Sequence, residues 1–273
     1  MSEPEILVDV AGPIRTVTLN RAAKRNALTP EMLKDTTAAF RGEPGADERV
    51  AVIRSTGPVF CAGIDLQRRL DDPSPSPDAS PQEDAPGGAI TGSGPTSAVE
   101  RLFHSVEQWP LPVVAVVQGD AIAGGNELAL HCDVVVASTK ANFGMSLAQI
   151  GLAPTWFLTK KLLEVAGPVT TREILMLGDP IPASRLADLG VIARAVPAHR
   201  LSIEADAVID RLARNAPLSL RAIKGVINRE MAFRDQIEHG DVDALVAAAG
   251  ASQDARVGIA ARLAQESPTF TAT

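Results

Sequence analysis

Gln118-Gly119-Asp120-Ala121-Ile122-Ala123-Gly124-Gly125-Asn126-Glu127-Leu128-Ala129-Leu130 is the stretch on which the fold of this chain turns. It follows a short apolar run, Val113–Val117, of the kind that suits a buried strand, and it leads into a helix. A glycine pair at the opening of a helix exposes unpaired N–H groups at the positive end of the helix dipole. Such a place suits an anion, or an oxyanion that develops during a reaction. The glycine spacing is not that of a dinucleotide-binding turn, and no Gly-Lys-Ser/Thr marks a phosphate-cradling loop. The same glycines would equally serve close packing of the helix, so the stretch alone leaves both readings open.

Upstream lies a second segment of similar character, Val59-Phe60-Cys61-Ala62-Gly63-Ile64-Asp65-Leu66, after a strand at 50–55 and a Gly57-Pro58 turn. Small residues at the end of a strand let backbone approach a ligand, although a plain tight turn reads the same way. Further out, Ile6, Val8 and Val10 alternate, Gly12-Pro13 turns, and Ile14, Val17 and Leu19 continue, which predicts a β-hairpin. Thr29-Pro30-Glu31 predicts a helix start, with the helix running to Phe40. Apolar runs at Val50–Ile53, Val113–Val117 and Val134–Ala137 alternate with helices, so the class is α/β. From Asp71 to Ser97 the chain is crowded with Pro, Ser, Gly and Asp, and it reads as a mobile loop, either an active-site lid or an inert insertion. After Thr155 helices are predicted near 156–166, 170–177, 183–189, 200–215, 217–231, 241–249 and 253–266.

The 273 residues, 45% hydrophobic and 22% charged, suit a soluble globular protein with a sizeable core. No apolar run approaches the ~20 residues of a membrane span, and the acidic start Met-Ser-Glu-Pro-Glu is unlike a signal peptide, so no membrane partner and a cytoplasmic location are expected. A net charge of -7 argues against a nucleic-acid partner. Cys61 and Cys132 read as buried reduced thiols, and the scattered His104, His131, His199 and His239 make no metal site.

Taken together, the segments resemble the enoyl-CoA hydratase/isomerase (crotonase) superfamily. Leu19-Asn20-Arg21-Ala22-Ala23-Lys24-Arg25-Asn26-Ala27-Leu28 is similar to its CoA-binding segment, Phe60–Leu66 to its first oxyanion-hole turn, and Ala123–Ala129 running to Cys132-Asp133 to its second. Asn142-Phe143-Gly144, Ile150-Gly151-Leu152, Gly178-Asp179-Pro180-Ile181 and Asp254-Ala255-Arg256-Val257-Gly258 extend the likeness over about residues 5 to 271. The resemblance implies a crotonase-like ββα spiral core over 1–200, carrying the loop at about 71–97. A helical C-terminal oligomerisation region over 201–273 follows, with assembly into a homotrimer or dimer of trimers. It also implies fatty-acid-type acyl-CoA chemistry, with the acyl-CoA thioester as partner, coenzyme A as part of the substrate, and no permanently bound cofactor. Backbone N–H groups of Ile64 and Gly124 would bind the thioester carbonyl. Lys24 and Arg25 would meet the nucleotide phosphates, with Ala27, Cys61, Ala62, Gly63, Asp65 and Leu66 along the CoA, and Lys224 as a further phosphate candidate. The family's usual Lys-Arg pair near the end is here Gln265-Glu266.

Two glutamates serve as acid and base in the hydratases of this family. Glu127 occupies the first position, and Leu147 stands where the second belongs. Leucine moves no proton, and a positioned acid/base group is worth ~10²–10⁴-fold, so two-glutamate hydration is not expected here. Gln149 is considered as a holder of water, Glu100 and His104 as groups bordering the acyl pocket, and Trp156 with Phe157 as its lining. Each of these has an ordinary packing or surface role as its alternative, and His131 is read as structural. The leading expectation is an acyl-CoA enzyme working through a stabilised enolate with Glu127 alone. A catalytically weak acyl-CoA-binding protein, or a CoA-ester or C–C hydrolase using His104, are the alternatives.

Overall fold

A computed structural model describes residues 3–65 and 97–272. The loop expected over 71–97, except Ser97, and the site residue Leu66 lie outside the described residues. In chain order the strands are β1 (Ile6–Ala11), β2 (Ile14–Leu19), β3 (Val50–Ser55), β4 (Val113–Val117), β5 (Ala121–Ile122), β6 (Val134–Ser138), β7 (Asn142–Gly144), β8 (Ile181–Pro182) and β9 (Arg194–Val196). The α-helices are α1 (Pro30–Ala39), α2 (Ala98–Gln108), α3 (Gly124–Leu130), α4 (Trp156–Arg172), α5 (Ala183–Asp188), α6 (Leu201–Arg214), α7 (Pro217–Met231), α8 (Gly240–Ala251) and α9 (Gln253–Ala264).

The main sheet has the order β1-β2-β3-β4-β6-β9, with β1 antiparallel to β2 and every later pairing parallel. Parallel strands need crossovers that cover both faces, so their sequences read as continuous apolar runs. Side chains alternate between the faces. Ala51, Ile53, Val113, Ala115 and Val117 enter the principal core, while Val50, Val52, Val114, Val116 and Val136 pack against Leu201, Ala205 and Ile209 of α6. The first helix after residue 200 thus closes the second face of the sheet.

A small second sheet, β5-β7-β8, has strands of two or three residues, too short to leave any periodicity in the sequence. It sits next to the decisive stretch, because β5 immediately precedes α3. The predicted helix starts are built as the side chains suggest. Thr29 Oγ1 accepts from Met32 N–H at 3.1 Å, and Ser97 and Glu100 form a reciprocal capping box at the start of α2. The two helices predicted at 156–166 and 170–177 are both present: within α4 they are separated by non-helical backbone at Gly167, where φ is +66°, followed by Pro168, and the second continues through a π-helical turn at Glu173–Leu177.

Candidate active site

The two glycine-bearing turns meet through backbone bonds. Phe60 and Cys61 donate their N–H groups to the Asp120 carbonyl at 3.0 and 3.2 Å, and Ile122 N–H donates to the Cys61 carbonyl at 2.9 Å. On the other side, Leu28 N–H donates to Gly63 O at 2.7 Å and Asp65 N–H donates to Leu28 O at 3.1 Å. Leu28 therefore bonds the residues on either side of Ile64, which turns the N–H of Ile64 itself away from Leu28. Gly63 takes φ +90°, and a Cβ there would lie 3.1 Å from Gly124 N. The Ile64 turn and the start of α3 are thus in contact. Among the described residues, neither Ile64 N–H nor Gly124 N–H has a hydrogen-bond partner.

The glycine pair divides its work. A Cβ on Gly125 would strike the Cys61 carbonyl oxygen at 2.2 Å, so this glycine is required for close packing. Gly124 carries the free N–H beside Ile64. Just before them, Ala123 holds φ +50° and ψ -115°, a costly conformation for a residue with a Cβ. It is fixed from both ends, because its N–H donates to Gly144 O of β7 at 2.7 Å and its carbonyl accepts from Glu127 N–H at 3.1 Å.

One helical turn on, Glu127 is wholly buried. Its Oε1 accepts from Asn126 Nδ2 at 3.2 Å, while Oε2 has no hydrogen-bond partner among the described residues. Burial pushes this carboxyl up to about 8, against the opposing influence of Asn126 and Lys161. His131 follows on the same face of α3. Its Nδ1 lies 2.8 Å from the Glu127 carbonyl oxygen and 3.8 Å from Glu127 Oε2. The ring is stacked between Phe103 at 5.1 Å and Phe157 at 5.3 Å. Burial, with the Lys161 charge, pushes His131 down to about 3.

Behind these rings lies a buried ion cluster that sequence reasoning missed. Lys161 of α4 pairs with Glu107 of α2 at 2.5 Å and with Glu164 at 3.0 Å. Burial would raise Glu107, but Lys161 and His131 outweigh it and hold the carboxyl at about 2. The periodic pattern gives no sign of such a group, since a lysine inside a helix usually reads as surface. A cavity of about 140 Å³ borders the cluster, lined by His104, Glu107, Phe157, Lys160, Glu164 and Asp235 among others. His104 meets Phe157 edge-on at 6.3 Å, so Phe157 and His131 stand between it and Glu127. Burial pushes His104 down.

The CoA-segment residues are brought to the first turn. Lys24 and Arg25 are exposed on a short turn, and Arg25 O accepts from Ala62 N–H at 3.1 Å, which sets them beside Cys61, Ala62 and Gly63. Asn26, which the sequence reading passed over, holds this junction. It is fully buried at φ +53°, accepts from Arg21 N–H, and donates to both Thr56 O and Val59 O at 2.8 Å. Asparagine in a basic turn was the available signal, because it tolerates a left-handed backbone. Ala27 is half-buried, and Arg21 donates to its carbonyl at 3.1 Å. Arg21 also engages the Asp65 carboxylate at 3.0 Å.

Two other expectations need correcting, those for Lys224 and Gln149. Lys224 is buried and donates to Asp133 at 2.6 Å and to the carbonyls of Val106 and Leu111, so it ties α7 to the core instead of facing a phosphate. Gln149 has both ends occupied, with Nε2 donating to Leu177 O and Asp179 and Oε1 accepting from Arg262, so it is committed to holding surface segments together. Glu100 is buried, caps α2 and accepts from the Thr155 hydroxyl. Leu147 is half-buried between the principal core and the Ile150–Leu152–Ala255–Ile259 cluster. Trp156 stacks on His239 at 4.7 Å, and its Nε1 has no hydrogen-bond partner among the described residues. Among the described residues no three His, Cys, Asp or Glu side chains gather as a metal site would require.

Comparison with known proteins gives the family. Residues 10–272 match the family model described as enoyl-CoA hydratase/isomerase. The chain is 30% identical over 272 residues to enoyl-CoA hydratase EchA19 of Mycobacterium tuberculosis, covering 98% of this chain and 97% of the relative. It is also 30% identical to 1,2-epoxyphenylacetyl-CoA isomerase of Escherichia coli, over 97% of this chain and 98% of that one. In fold it is similar to the crystal structure of an enoyl-CoA hydratase from Mycobacterium avium subsp. paratuberculosis, with TM-score 0.79, 24% identity, and 98% and 99% of the two chains covered. The chain belongs to the enoyl-CoA hydratase/isomerase family of acyl-CoA-processing enzymes, within the crotonase superfamily.

Proposed function

We propose that this enzyme carries its acyl-CoA thioester through an enolate held in an oxyanion hole, with Glu127 as the one retained carboxylate. The observation that carries the reading is the contact between the Gly63-Ile64 turn and the start of α3. It leaves two unpaired N–H groups one helical turn from a buried carboxyl. In the step proposed, the thioester oxygen accepts from Ile64 N–H and Gly124 N–H, and the Glu127 carboxylate removes a proton from carbon. The C–H electron pair moves towards the thioester carbonyl, whose oxygen takes up the charge. Two fixed donors favour that charged state over the ground state, and each is worth ~10²–10³ in rate.

The same carboxyl, now protonated, can return its proton to another carbon, which is isomerisation. Leu147 offers no second group to activate water, so isomerisation, or a hydration with water held in another way, fits better than two-glutamate hydration. Both a hydratase and an isomerase stand among the relatives. Lys24 and Arg25 are proposed to meet the CoA phosphates, with the backbone from Cys61 to Gly63 along the adenine and pantetheine, and Ala27, Asp65 and Leu66 as further CoA-binding residues. A homotrimer or dimer of trimers, working in the cytoplasm, completes the reading.

The test is turnover of a panel of enoyl-, dienoyl- and β-ketoacyl-CoAs by wild type and Glu127→Gln. Loss of about 10²–10⁴ in kcat with CoA-ester binding retained is expected. Full activity in the variant would remove Glu127 from the reaction, and tight binding without turnover of any ester would favour a binding protein.

A further inference from the structure

His131 is the side chain whose surroundings the proposed reaction leaves unused. The Glu127 carbonyl oxygen can only accept, so the 2.8 Å contact requires the proton on Nδ1. With that proton given to the carbonyl, the Nδ1 atom lies 3.8 Å from Glu127 Oε2, the carboxylate oxygen without a hydrogen-bond partner among the described residues, so the positive end of the ring dipole stands beside that oxygen without bonding it. The aromatic stacks on both faces keep the ring from turning away. The opposite nitrogen, Nε2, is buried and also lacks a partner among the described residues. A histidine that served packing alone would gain nothing from a buried unpaired nitrogen, because the site would be better filled by an apolar ring.

We infer that His131 is a positioning residue: in its neutral Nδ1–H form, anchored on the Glu127 carbonyl, it holds the positive end of a fixed dipole beside the free oxygen of Glu127 and so sets how readily that carboxyl gives up and regains its proton. This rests on the proposed role of Glu127. The other groups facing the pair are Asn126 on α3, Glu107 on α2, and Lys160 and Lys161 on α4. Lys161, paired with Glu107 and Glu164, acts on Glu127 as a more distant charge and Asn126 donates to Oε1, so the His131 ring is the neutral dipole beside Oε2.

The experiment is infrared titration of the full-length enzyme. The protonated-carboxyl band that disappears in Glu127→Gln identifies the group, and its midpoint is then followed against pH in His131 variants. His131→Phe keeps the stack but removes the donor. Its midpoint should move upward, corresponding to about three- to tenfold weaker dissociation. His131→Asn places an amide N–H near the Nδ1 position and should restore the wild-type midpoint, whereas His131→Gln, which reaches only the Nε2 position, should not. Thermal melting of each variant reports folding, and if His131→Phe fails to fold, the Asn/Gln contrast decides. A wild-type midpoint in His131→Phe, or equal midpoints in the Asn and Gln variants, would overturn the inference. Full turnover by Glu127→Gln would instead remove the proposed function while leaving the titration readable.

Discussion

Glu127 joins reaction and stability in a single group. Its pKa in the folded chain, about 8, lies above the ordinary carboxylate value, so between the two the folded state holds a proton that the unfolded state has lost. The stability contributed by the neutral carboxyl is fully present below the unfolded pKa of about 4.3 and is lost as pH rises through about 8. Glu127 should therefore contribute a loss of stability across this window with a slope approaching ~1.4 kcal/mol per pH unit. Glu127→Gln should lack that loss, so the stability of wild type relative to the variant should fall with pH in denaturant melts between about pH 5 and about pH 9. Glu107, held at about 2, gives up its contribution in acid below the window, whereas His131, held at about 3, adds an opposing slope up to its unfolded value of about 6.5 in wild type and variant alike. An equal slope in wild type and Glu127→Gln would show that the carboxyl is not buried as described.

At the scale of elements, two contacts hold the site in shape. The first is the packing of α3 against the turn at Cys61, which only Gly125 permits. Gly125→Ala would push a methyl into the Cys61 carbonyl at 2.2 Å, so the helix must shift. A loss of about 2 kcal/mol or more in denaturant melts is expected, together with weakened turnover as Gly124 moves from Ile64. The second is Lys224 of α7, whose ammonium meets Asp133 at the head of β6. Asp133 also accepts from Val113 N–H at 2.7 Å, so one carboxylate links β4, β6 and α7. Lys224→Met should cost about 1–2 kcal/mol by taking the ammonium partner from the partly exposed Asp133 carboxylate and from two buried carbonyls, and adding Asp133→Asn should recover part of it. Retained stability with weakened CoA binding would instead favour the phosphate contact expected from sequence.

For the whole molecule, the open question is what covers the C-terminal helices. Leu218, Val226, Ile227, Phe233 and Leu245 are all more than half exposed, and they lie on α7, α8 and the turn between them. Apolar surface on this scale favours association between subunits, which agrees with the proposed trimer. Light scattering should report at least three times the 28.6 kDa chain mass, and a charge placed on this face, as in Ile227→Glu, should lower it. A wild-type monomer would sink the assembly proposal. Among the described residues no helix is long and apolar enough to cross a membrane.

Much of this was legible in the residues, and the division has a physical cause. Alternating and continuous apolar runs predicted the hairpin, β3, β4 and β6, because strand periodicity is local. Capping chemistry placed α1, and helical periodicity matched α7 over 217–231. The order of glycines and Glu127 identified the family and its candidate site, since tight backbone approach leaves few residue choices. The strands β5, β7 and β8 were hidden, because two or three residues carry no period. Tertiary structure alone decided that Gly124 and Gly125 do different work, that Lys224 and Gln149 are already engaged, and that the His131 ring is stacked between Phe103 and Phe157. Those outcomes depend on which groups from distant segments meet in the core, and local pattern does not encode that.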